Sequence, residues 1–473
     1  MRPFRVLIVA SCVTFAASSA FAAQASQGTQ TPPAQGQQAK PAAPQQQPPP
    51  PPQAPSYQDT VVVSASKTEQ KIVDAPATMS VFTPVMLANT PAASYNDLMR
   101  NVPGVNVTQL SARDMNITSR AATSSLSTSQ LAVLDGRSLY QDFFGFIMWD
   151  FMPANMNDIK QIEVIRGPAS AVWGANAMSG VVNVITKSPR EARGTNVQMG
   201  VGMFNREANK GDGTKSGQLF YVNGSTADTI NDQWSYKLSA GYYQTDAYAR
   251  PTGLIPNGGT TSYPDFQNAG TKQPKGEVRF DRDFDGQKLT FSAGTAGTSG
   301  IMETGIGPFR IDSGTMMSFG KIGYTKGAFH AQAFINALDG KAPNLLTVDA
   351  SGNPINFNFN TKTVDLEIGN SSAIGSHVLT YGGNLRLNKF NLTLAPAETS
   401  RTEGGAYAQD EIFLGDFVRL NLGARVDKFS SISNAVFSPR TALILKPAEG
   451  HTLRLSYNRA FRAPSMINNN LDV

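Results

Sequence analysis

The chain has 473 residues, which is enough for two or three domains or for one large barrel. Only 16% of its residues are charged, against about 25% in a typical soluble domain, so much of the surface is expected not to face water. The net charge of +5 is spread over single lysines and arginines among acids, and no block of like charges occurs, which argues against a nucleic-acid partner.

The first 22 residues have the pattern of a secretory signal peptide. Arg2 and Arg5 precede a short apolar run, and an Ala-Phe-Ala triplet predicts cleavage after Ala22. Cys12, the only cysteine, lies in this segment and could instead be a lipidation site. Once the segment is removed, disulfides and cysteine-based metal sites are excluded. No later apolar run reaches the length of about 18 residues that predicts a transmembrane helix, so a closed β-barrel is the expected way into a membrane.

Residues 23–56 are rich in glutamine, proline and alanine and hold few large apolar side chains, which predicts a disordered tether. The next segment, 57–66, contains Val61, Val62 and Val63, and such β-branched residues favour an extended backbone. No second strand pattern follows at hairpin distance. The segment is therefore either a frayed end of the following domain or a strand that pairs with another protein.

Residues 67–190 show the mixed pattern of a small α/β domain. Helical spacing over 91–105 predicts a helix that a Pro-Gly pair ends. Two strands joined by an Asp-Gly turn are predicted over 131–140, and further strands over 159–168 and 180–187.

From about residue 194 the hydrophobic period changes to two, and residues 191–473 are assigned to a barrel. The segments 234–243, 418–427 and 451–461 each place apolar side chains on one face and polar or charged ones on the other. Segments of about ten residues with this alternation are typical of membrane barrels. A soluble β-sandwich with one wet face is the alternative, but its strands are usually shorter and its faces less charged.

Roughly thirteen such segments lie between residues 194 and 459, whereas plugged outer-membrane transporters have about 22 strands. The predicted fold class is mostly β: an incomplete transmembrane antiparallel β-barrel with an N-terminal mixed α/β domain. Because no closing strand is visible before "NNNLDV", we interpret the chain as a little over half of a barrel, from either a fragmentary gene or a truncation.

One stretch, "IEVIRGPASAVWGANAMSGVVNVITK" (162–187), resembles the plug signature of TonB-dependent outer-membrane receptors. The stretches "DAPATMSVFT" (74–83), "NDLMRNVPGVNV" (96–107) and "LDGRSLY" (134–140) are similar to the same domain. Later segments such as "LGARVDKF" and "LSYNRAFRAPS" resemble the barrel strands of this family. The resemblance implies a plug domain inside a lipid-facing barrel in the outer membrane of a Gram-negative-type cell, with the tether in the periplasm.

The segment "DTVVVSA" resembles the TonB box of this family, although it lies further from the mature N-terminus than is usual. The resemblance implies that TonB, acting with its inner-membrane energising complex, grips this strand. Strand addition to the edge of a partner's sheet would supply the main-chain hydrogen bonds. The predicted box residues are Asp59, Thr60, Val61, Val62, Val63 and Ser64.

In the family, two plug arginines pair with barrel glutamates across the plug–barrel seam. Arg166, in "IRGP", matches one of them, and Arg120, in "ITSR", matches the other, although Ala121 stands where a glycine is usual. Their glutamate partners cannot be placed from the sequence. The Gly-Pro pair after Arg166 predicts a sharp turn that orients it. The residues predicted at the seam are Arg120, Glu163, Arg166, Gly167, Pro168 and Gly174.

The resemblance implies active uptake of a scarce small-molecule ligand, most commonly a ferric siderophore, so that the ligand is an iron chelate and no cofactor is expected. The "FRAP" motif (461–464) also occurs in haem receptors, but no histidine follows it here. Haem, cobalamin, other metal chelates and sugars stay open. The aromatic residues that could stack on a ligand, or equally form plug core or line the barrel wall, are Tyr140, Phe143, Phe144 and Trp149.

Other functions have weaker support in the sequence. The three histidines, His330, His377 and His451, are isolated, so neither a metal site nor an enzyme is predicted. A passive porin would lack a plug and a TonB box, and a signal-transducing receptor would need an extra folded domain before the box. A non-functional fragment, whose plug folds but whose barrel does not close, is the remaining alternative.

Overall fold

The computed structural model describes residues 60–471, apart from 91, 93, 122–125, 206–215, 251, 256–258, 398 and 449. The predicted signal peptide, the predicted tether and Asp59 lie outside the described residues. None of the helices described is both long enough and apolar enough to cross a bilayer.

Residues 61–186 fold into a small mixed α/β domain, which is the predicted plug domain. Its strands are β1 (Val61–Val62), β2 (Gln70–Lys71), β3 (Met79–Phe82), β4 (Val105–Gln109), β5 (Met115–Ser119), β6 (Gln130–Leu134), β7 (Arg137–Ser138), β8 (Tyr140–Gln141), β9 (Phe146–Ile147), β10 (Ile159–Arg166) and β11 (Gly180–Thr186). Its α-helices are α1 (Pro84–Ala88), α2 (Tyr95–Met99) and α3 (Ser170–Trp173), and its 3-10 helices are Ile72–Asp74, Trp149–Phe151 and Met156–Asp158.

The core of the plug domain is a five-stranded sheet in the order β3-β10-β11-β6-β7. β10 pairs antiparallel with β3 and β11, and β11 pairs parallel with β6. Ile162 and Val164 of β10 and Val182 of β11 are fully buried, as β-branched residues in central strands tend to be. The predicted Asp-Gly turn joins β6 and β7, with Asp135 and Gly136 at positive φ, as a tight hairpin turn requires.

The helix predicted over 91–105 is shorter than expected. α2 begins after Ser94, whose backbone is extended, and ends at Met99. The following residues form tight turns instead, in which the N–H groups of Asn101 and Val102 donate to carbonyls three residues back. The apolar spacing that suggested a longer helix still places Tyr95, Leu98, Met99 and Val102 in the core.

Thirteen antiparallel strands form the rest of the described structure, and each pairs with the next along the chain. This agrees with the number of segments counted in the sequence. The strands are β12 (Gly194–Asn205), β13 (Ser216–Thr229), β14 (Trp234–Thr245), β15 (Thr271–Phe284), β16 (Gln287–Thr304), β17 (Gly307–Lys326), β18 (Phe329–Val348), β19 (Pro354–Ile374), β20 (His377–Leu392), β21 (Ser400–Leu414), β22 (Val418–Phe429), β23 (Val436–Ala448) and β24 (His451–Asn458), followed by helix α4 (Met466–Asn470). We call these thirteen strands the barrel wall.

Alternation along each strand gives the barrel wall an apolar outer face and a polar inner face. In β19, Leu366 and Ile368 are 49% and 59% exposed, whereas their neighbour Asp365 is buried and the intervening Glu367 pairs with Lys67 of the plug domain. β14 shows the same pattern, because its Ser235 and Lys237 are buried and Leu238 is exposed. Polar side chains on the inner face and apolar ones outside are the arrangement that suits a wall in lipid.

The two rims of the barrel wall differ in the length of their connections. Residues 187–193 join the plug domain to β12 at one rim, here called the near rim. Because successive strands are antiparallel, the short turns 285–286 and 327–328 lie at this rim as well. The longest connection, 246–270, lies at the opposite or far rim. In membrane barrels, short turns mark the periplasmic side and long loops the extracellular side.

Candidate functional site

The N-terminal segment, residues 60–67, lies between the plug sheet and the barrel wall. β1 pairs with β2 in the register Val61↔Lys71 and Val62↔Gln70. The sequence analysis expected no partner strand nearby, and that expectation is wrong: β2 consists of only two polar residues and carries no strand signal. Val62 is fully buried, whereas Val61 is 48% exposed. Of the predicted box residues, the structure places Thr60 to Ser64 in this segment.

Glu163, at the centre of β10, holds the N-terminal segment from the plug side. The N–H of Val63 donates to its Oε1 at 3.1 Å, and the N–H of Ser64 donates to its Oε2 at 2.7 Å. The Ser64 hydroxyl and the Gln161 side-chain amide also donate to this carboxylate. Glu163 is fully buried and has no ion pair among the described residues. The sequence analysis placed it at the seam through the plug motif, but not against the predicted TonB box.

Further side chains bind the next carbonyls of the N-terminal segment. The indole Nε1 of Trp173, in α3, donates to the Ser64 carbonyl at 2.8 Å, and the Asn183 amide donates to the Ser64 hydroxyl at 3.0 Å. From the barrel wall, Arg440 Nη1 donates to the Ala65 carbonyl at 2.5 Å, and Gln409 Nε2 donates to the Ser66 carbonyl at 2.7 Å. The segment is therefore bound by side chains of both domains.

Lys67 ends the N-terminal segment with a contact to the barrel wall. Its ammonium group forms an ion pair with Glu367 of β19. It also lies 5.1 Å from the ring centroids of both Trp173 and Tyr407, within the range of cation–π attraction. Lys67 has a φ of 60°, so the chain turns sharply at this residue.

The arginines predicted at the seam lie at one end of the plug sheet. Arg166 donates from Nη1 to the Pro103 carbonyl at 2.5 Å and from Nη2 to the Met79 carbonyl at 3.1 Å, both within the plug domain. Arg120 is exposed and has a φ of 51°. The pairing of these arginines with barrel glutamates stays a prediction.

The remaining predicted seam residues form turns around α3. Gly167 has a φ of 115°, which suits glycine, and its N–H donates to the Ser179 carbonyl at 2.8 Å. Pro168 is exposed. Gly174 has a φ of 78°, and a Cβ atom there would lie 3.0 Å from Nη2 of Arg425 on β22. The structure thus places Gly174 close to the barrel wall.

The four aromatic residues suggested as ligand contacts are all buried between the plug domain and the barrel wall. Tyr140, Phe143, Phe144 and Trp149 are each at most 6% exposed. Phe143 stacks on Phe359 of the wall with ring centroids 5.6 Å apart, and the Tyr140 hydroxyl donates to the Thr128 carbonyl at 2.9 Å. They form core in this conformation, and their contact with a ligand stays a prediction that would require this cluster to open.

Two small cavities lie between the plug domain and the barrel wall. One, of about 60 Å³, is lined by residues that include Lys67, Trp173 and Glu367; the other, also about 60 Å³, includes Tyr95 and Lys275. Each has room for a few water molecules. Among the described residues, no group of three or more histidine, aspartate or glutamate side chains is arranged to hold a metal ion.

The family of the chain follows from its match to two family descriptions. The description "TonB-dependent Receptor Plug Domain" matches residues 71–181, and "TonB dependent receptor-like, beta-barrel" matches residues 182–472. The chain belongs to the TonB-dependent receptor family. Proteins of this family are outer-membrane β-barrels, and the outer membrane is the location of this receptor.

Two curated relatives match different shares of the receptor. The vitamin B12 transporter BtuB of Vibrio vulnificus is 30% identical over 190 residues, which cover 40% of this chain and 28% of the relative. The iron-regulated outer membrane virulence protein of Vibrio cholerae is 25% identical over 436 residues, covering 87% of this chain and 61% of the relative. The receptor chain thus spans between about a quarter and three fifths of the length of these curated relatives.

Solved structures with the same fold include two receptors from Pseudomonas aeruginosa. The siderophore receptor PirA superposes with a TM-score of 0.60 at 19% identity, over 82% of this chain and 62% of PirA. The ferric enterobactin receptor PfeA, as a Q482A mutant in complex with enterobactin, gives a TM-score of 0.60 at 18% identity, over 82% of this chain and 63% of PfeA. At this identity the likeness establishes the fold alone.

The receptor also has charged contacts between plug and wall that the sequence analysis missed. Asp142 of the plug pairs with Arg401 and Arg386 of the wall, and Asp74 pairs with Arg419 at 3.2 Å and with Lys446. The sequence contains the residues of these pairs in recognisable positions. Asp142 is an acid inside an aromatic run, and the arginines stand at strand positions that the period-two alternation places on the inner face. Their interpretation required knowing which wall strand faces which part of the plug.

Asp135 of the plug is a third acid at the seam. It accepts hydrogen bonds from the Thr186 N–H at 2.8 Å and from the Thr186 hydroxyl at 2.7 Å. Burial by itself would raise the pKa of Asp135, but nearby Arg279 and Lys321 and the Thr186 donors together hold this pKa below its usual value. Asp74, Asp135 and Asp142 are thus plug acids close to basic side chains of the wall, whereas the Lys67–Glu367 pair has the opposite polarity.

Proposed function

We propose that the receptor carries a scarce small-molecule ligand inward across the outer membrane, and that TonB with its inner-membrane energising complex supplies the work by pulling the N-terminal segment. The observation that carries this proposal is the position of that segment. The segment precedes the rest of the plug in the chain and is hydrogen-bonded to Glu163 of β10 and Trp173 of α3. A pull on the segment therefore acts on the plug.

A transporter of this kind needs a path that is closed at rest and opens only when work is done on the plug. The plug packs against the inner face of the wall, and two of the cavities there, of about 60 Å³ each, are far smaller than the several hundred Å³ that a drug-sized ligand occupies. A third cavity, of about 310 Å³, lies at the near rim and is lined by Val73 of the plug and by wall residues that include Lys446 and His451. A passive porin would instead keep an aqueous channel. This observation favours an energised receptor over a porin.

The proposed ligand class is a ferric siderophore, an iron chelate that the receptor carries as cargo. The support is that the relative matched over most of this chain is named as iron-regulated, and that the structural neighbours include siderophore receptors. Cobalamin is the second candidate, because the match to a vitamin B12 transporter has the higher identity, although over fewer residues.

The test is deletion of Asp59–Ser64 in the full-length receptor, expressed in cells that lack their own siderophore and cobalamin receptors. Uptake of radiolabelled ferric enterobactin, a ferric hydroxamate and cyanocobalamin is measured with and without an uncoupler, and binding is measured on ice. We expect the deletion to remove energised uptake of the one ligand carried while leaving its binding unchanged.

The matched control is deletion of six residues from the predicted tether, Pro48–Gln53, which shortens the chain but keeps the predicted box. This control should retain uptake. Uptake that survives the box deletion would contradict the proposal, and uptake that resists the uncoupler would point to a passive pore.

A further inference from the structure

The backbone of the N-terminal segment between Val63 and Ser66 is bound by side chains rather than by a neighbouring strand. We call these side chains the socket: Glu163, Trp173 and Asn183 from the plug, with Gln409 and Arg440 from the barrel wall. A strand in a sheet would instead exchange backbone hydrogen bonds along its length. The β1–β2 pairing ends at Val62, where the socket begins.

Glu163 differs from the other socket residues because it is the only anion and receives most of the donors. Two backbone N–H groups and one hydroxyl of the segment donate to it. Hydrogen bonds to an ionised acceptor are about twice as strong as those between neutral groups. If the segment left, Gln161 would be the one described donor that still binds this buried carboxylate. Release of the segment therefore costs free energy.

The socket also requires the plug and the wall to keep their relative position. Glu163, Trp173 and Asn183 lie on β10, α3 and β11, whereas Gln409 and Arg440 lie on β21 and β23. A shift of the plug against the wall would separate the two sets of donors and acceptors. The segment therefore has a firmly bound state whose population depends on the seam.

We propose that Glu163 is the positioning residue that keeps the N-terminal segment bound inside the receptor. The hydrogen bonds to its carboxylate then determine the fraction of receptors in which the segment is free. This inference rests on the proposed function, in which the free segment is the part that the energising partner grips. Glu163 itself is not proposed to contact either the ligand or the partner.

The test measures the freedom of the segment directly. A nitroxide is attached at Val61→Cys, a half-exposed position next to the socket, in a Cys12→Ala background of the purified full-length receptor. The spectrum separates immobile from mobile label. We expect Glu163→Gln, which keeps the shape but removes the charge, to raise the mobile-to-immobile ratio about tenfold or more. Trp173→Phe, which removes one neutral donor, should raise it less.

Matched controls make the same chemical changes away from the socket. Glu191→Gln alters a carboxylate whose side chain is 43% exposed and pairs with Lys160, and Trp234→Phe alters a tryptophan of the barrel wall. Neither should change the ratio. A second label at Val85, which is 69% exposed in α1, reports on general loosening of the plug and should be unaffected by Glu163→Gln.

Two results would overturn the inference. The ratio at Val61 could stay unchanged in Glu163→Gln, or the labels at Val61 and Val85 could become mobile together, which would assign Glu163 to plug stability. Because these spectra require neither ligand nor partner, they are independent of transport. A positive spectral result combined with normal uptake after the box deletion would reject the proposed function and leave the binding role of Glu163 standing.

Discussion

Asp142 and Asp74 show how single residues connect the plug to the wall. Each is a buried plug acid that meets two wall cations: Arg386 and Arg401 for Asp142, and Arg419 and Lys446 for Asp74. Removing one member of a buried ion pair typically costs about 3–5 kcal/mol, because the other charge is left uncompensated. Such pairs hold the plug in one orientation relative to the wall. A movement of the plug away from the wall would break them together.

Asp114, in the loop between β4 and β5, is expected to make plug stability depend on pH. Burial raises its pKa to about 6, against the opposing effect of Arg113, while Asp150 and Glu303 add to the increase. Because the folded value lies above the unfolded value of about 4, this group stabilises the plug below about pH 4, and the contribution is lost as the pH rises through about 6.

The Asp114→Asn variant removes this titration. Its free energy of unfolding, relative to wild type, should shift in favour of the variant by up to about 3 kcal/mol between pH 4 and pH 7. Urea unfolding, with amide hydrogen exchange of the β4–β5 hairpin as the readout, would measure this shift. A difference between the two proteins that stays constant with pH would contradict the assignment.

At the scale of elements, β10 is the strand around which the plug is organised. One edge pairs with β3 and the other with β11, its apolar residues Ile162 and Val164 are fully buried, and Glu163 between them turns to the N-terminal segment. The period of two, visible in the sequence, determines this separation of the apolar face from the polar face. The element thus serves both packing and the binding of the segment.

Gly180, the first residue of β11, is expected to be essential for this packing. A Cβ atom there would clash with the Ile165 carbonyl oxygen of β10 and lie 3.0 Å from the Ser119 hydroxyl. Gly180→Ala should lower the free energy of unfolding of the plug by about 1–3 kcal/mol. Urea unfolding monitored by tryptophan fluorescence measures this, since Trp149 and Trp173 lie in the plug.

The control for that prediction is Gly224→Ala in β13. A Cβ atom there meets only the Asn196 carbonyl oxygen, at 3.9 Å, so the same substitution should cost little. Equal unfolding free energies for the two variants would show that Gly180 is not constrained by its neighbours.

At the scale of the whole molecule, the barrel wall presents lipid with an apolar surface along its strands. In β19, Val364, Leu366 and Ile368 point outward at alternate positions, and Asp365 and Glu367 point inward to the seam. Each strand from β13 to β23 is hydrogen-bonded to a neighbour on both sides, which is the pairing that a membrane environment demands. The wall therefore separates a lipid face from a charged interior by strand geometry alone.

Leu366→Arg is expected to impair insertion of the wall. A charged side chain on the lipid face near mid-height costs about 2–4 kcal/mol, whereas the cost is small near the interfaces. The yield of protease-resistant, β-rich protein after refolding into lipid vesicles should fall for Leu366→Arg. It should not fall for Asp416→Arg, which lies in an exposed turn at the near rim. Equal yields would mean that Leu366 does not face lipid.

Sequence alone predicted the elements whose signal is local. The period-two strands of the wall, the Asp-Gly hairpin of the plug and the buried β-branched strands were all recognisable, because side-chain alternation and turn chemistry act between near neighbours. The helix at 91–105 was overestimated because apolar spacing also fits tight turns. β2 was missed because two polar residues carry no strand signal.

The sequence by itself determined the fold class and the family, since both depend on patterns within short stretches. Only the tertiary structure decided which residues meet: that Glu163 binds the N-terminal segment about a hundred residues before it, that Lys67 pairs with Glu367, and that Phe143 is core. The physical reason is that long-range pairs depend on strand register and on the seating of the plug within the wall, and neither is encoded by the type of any single residue.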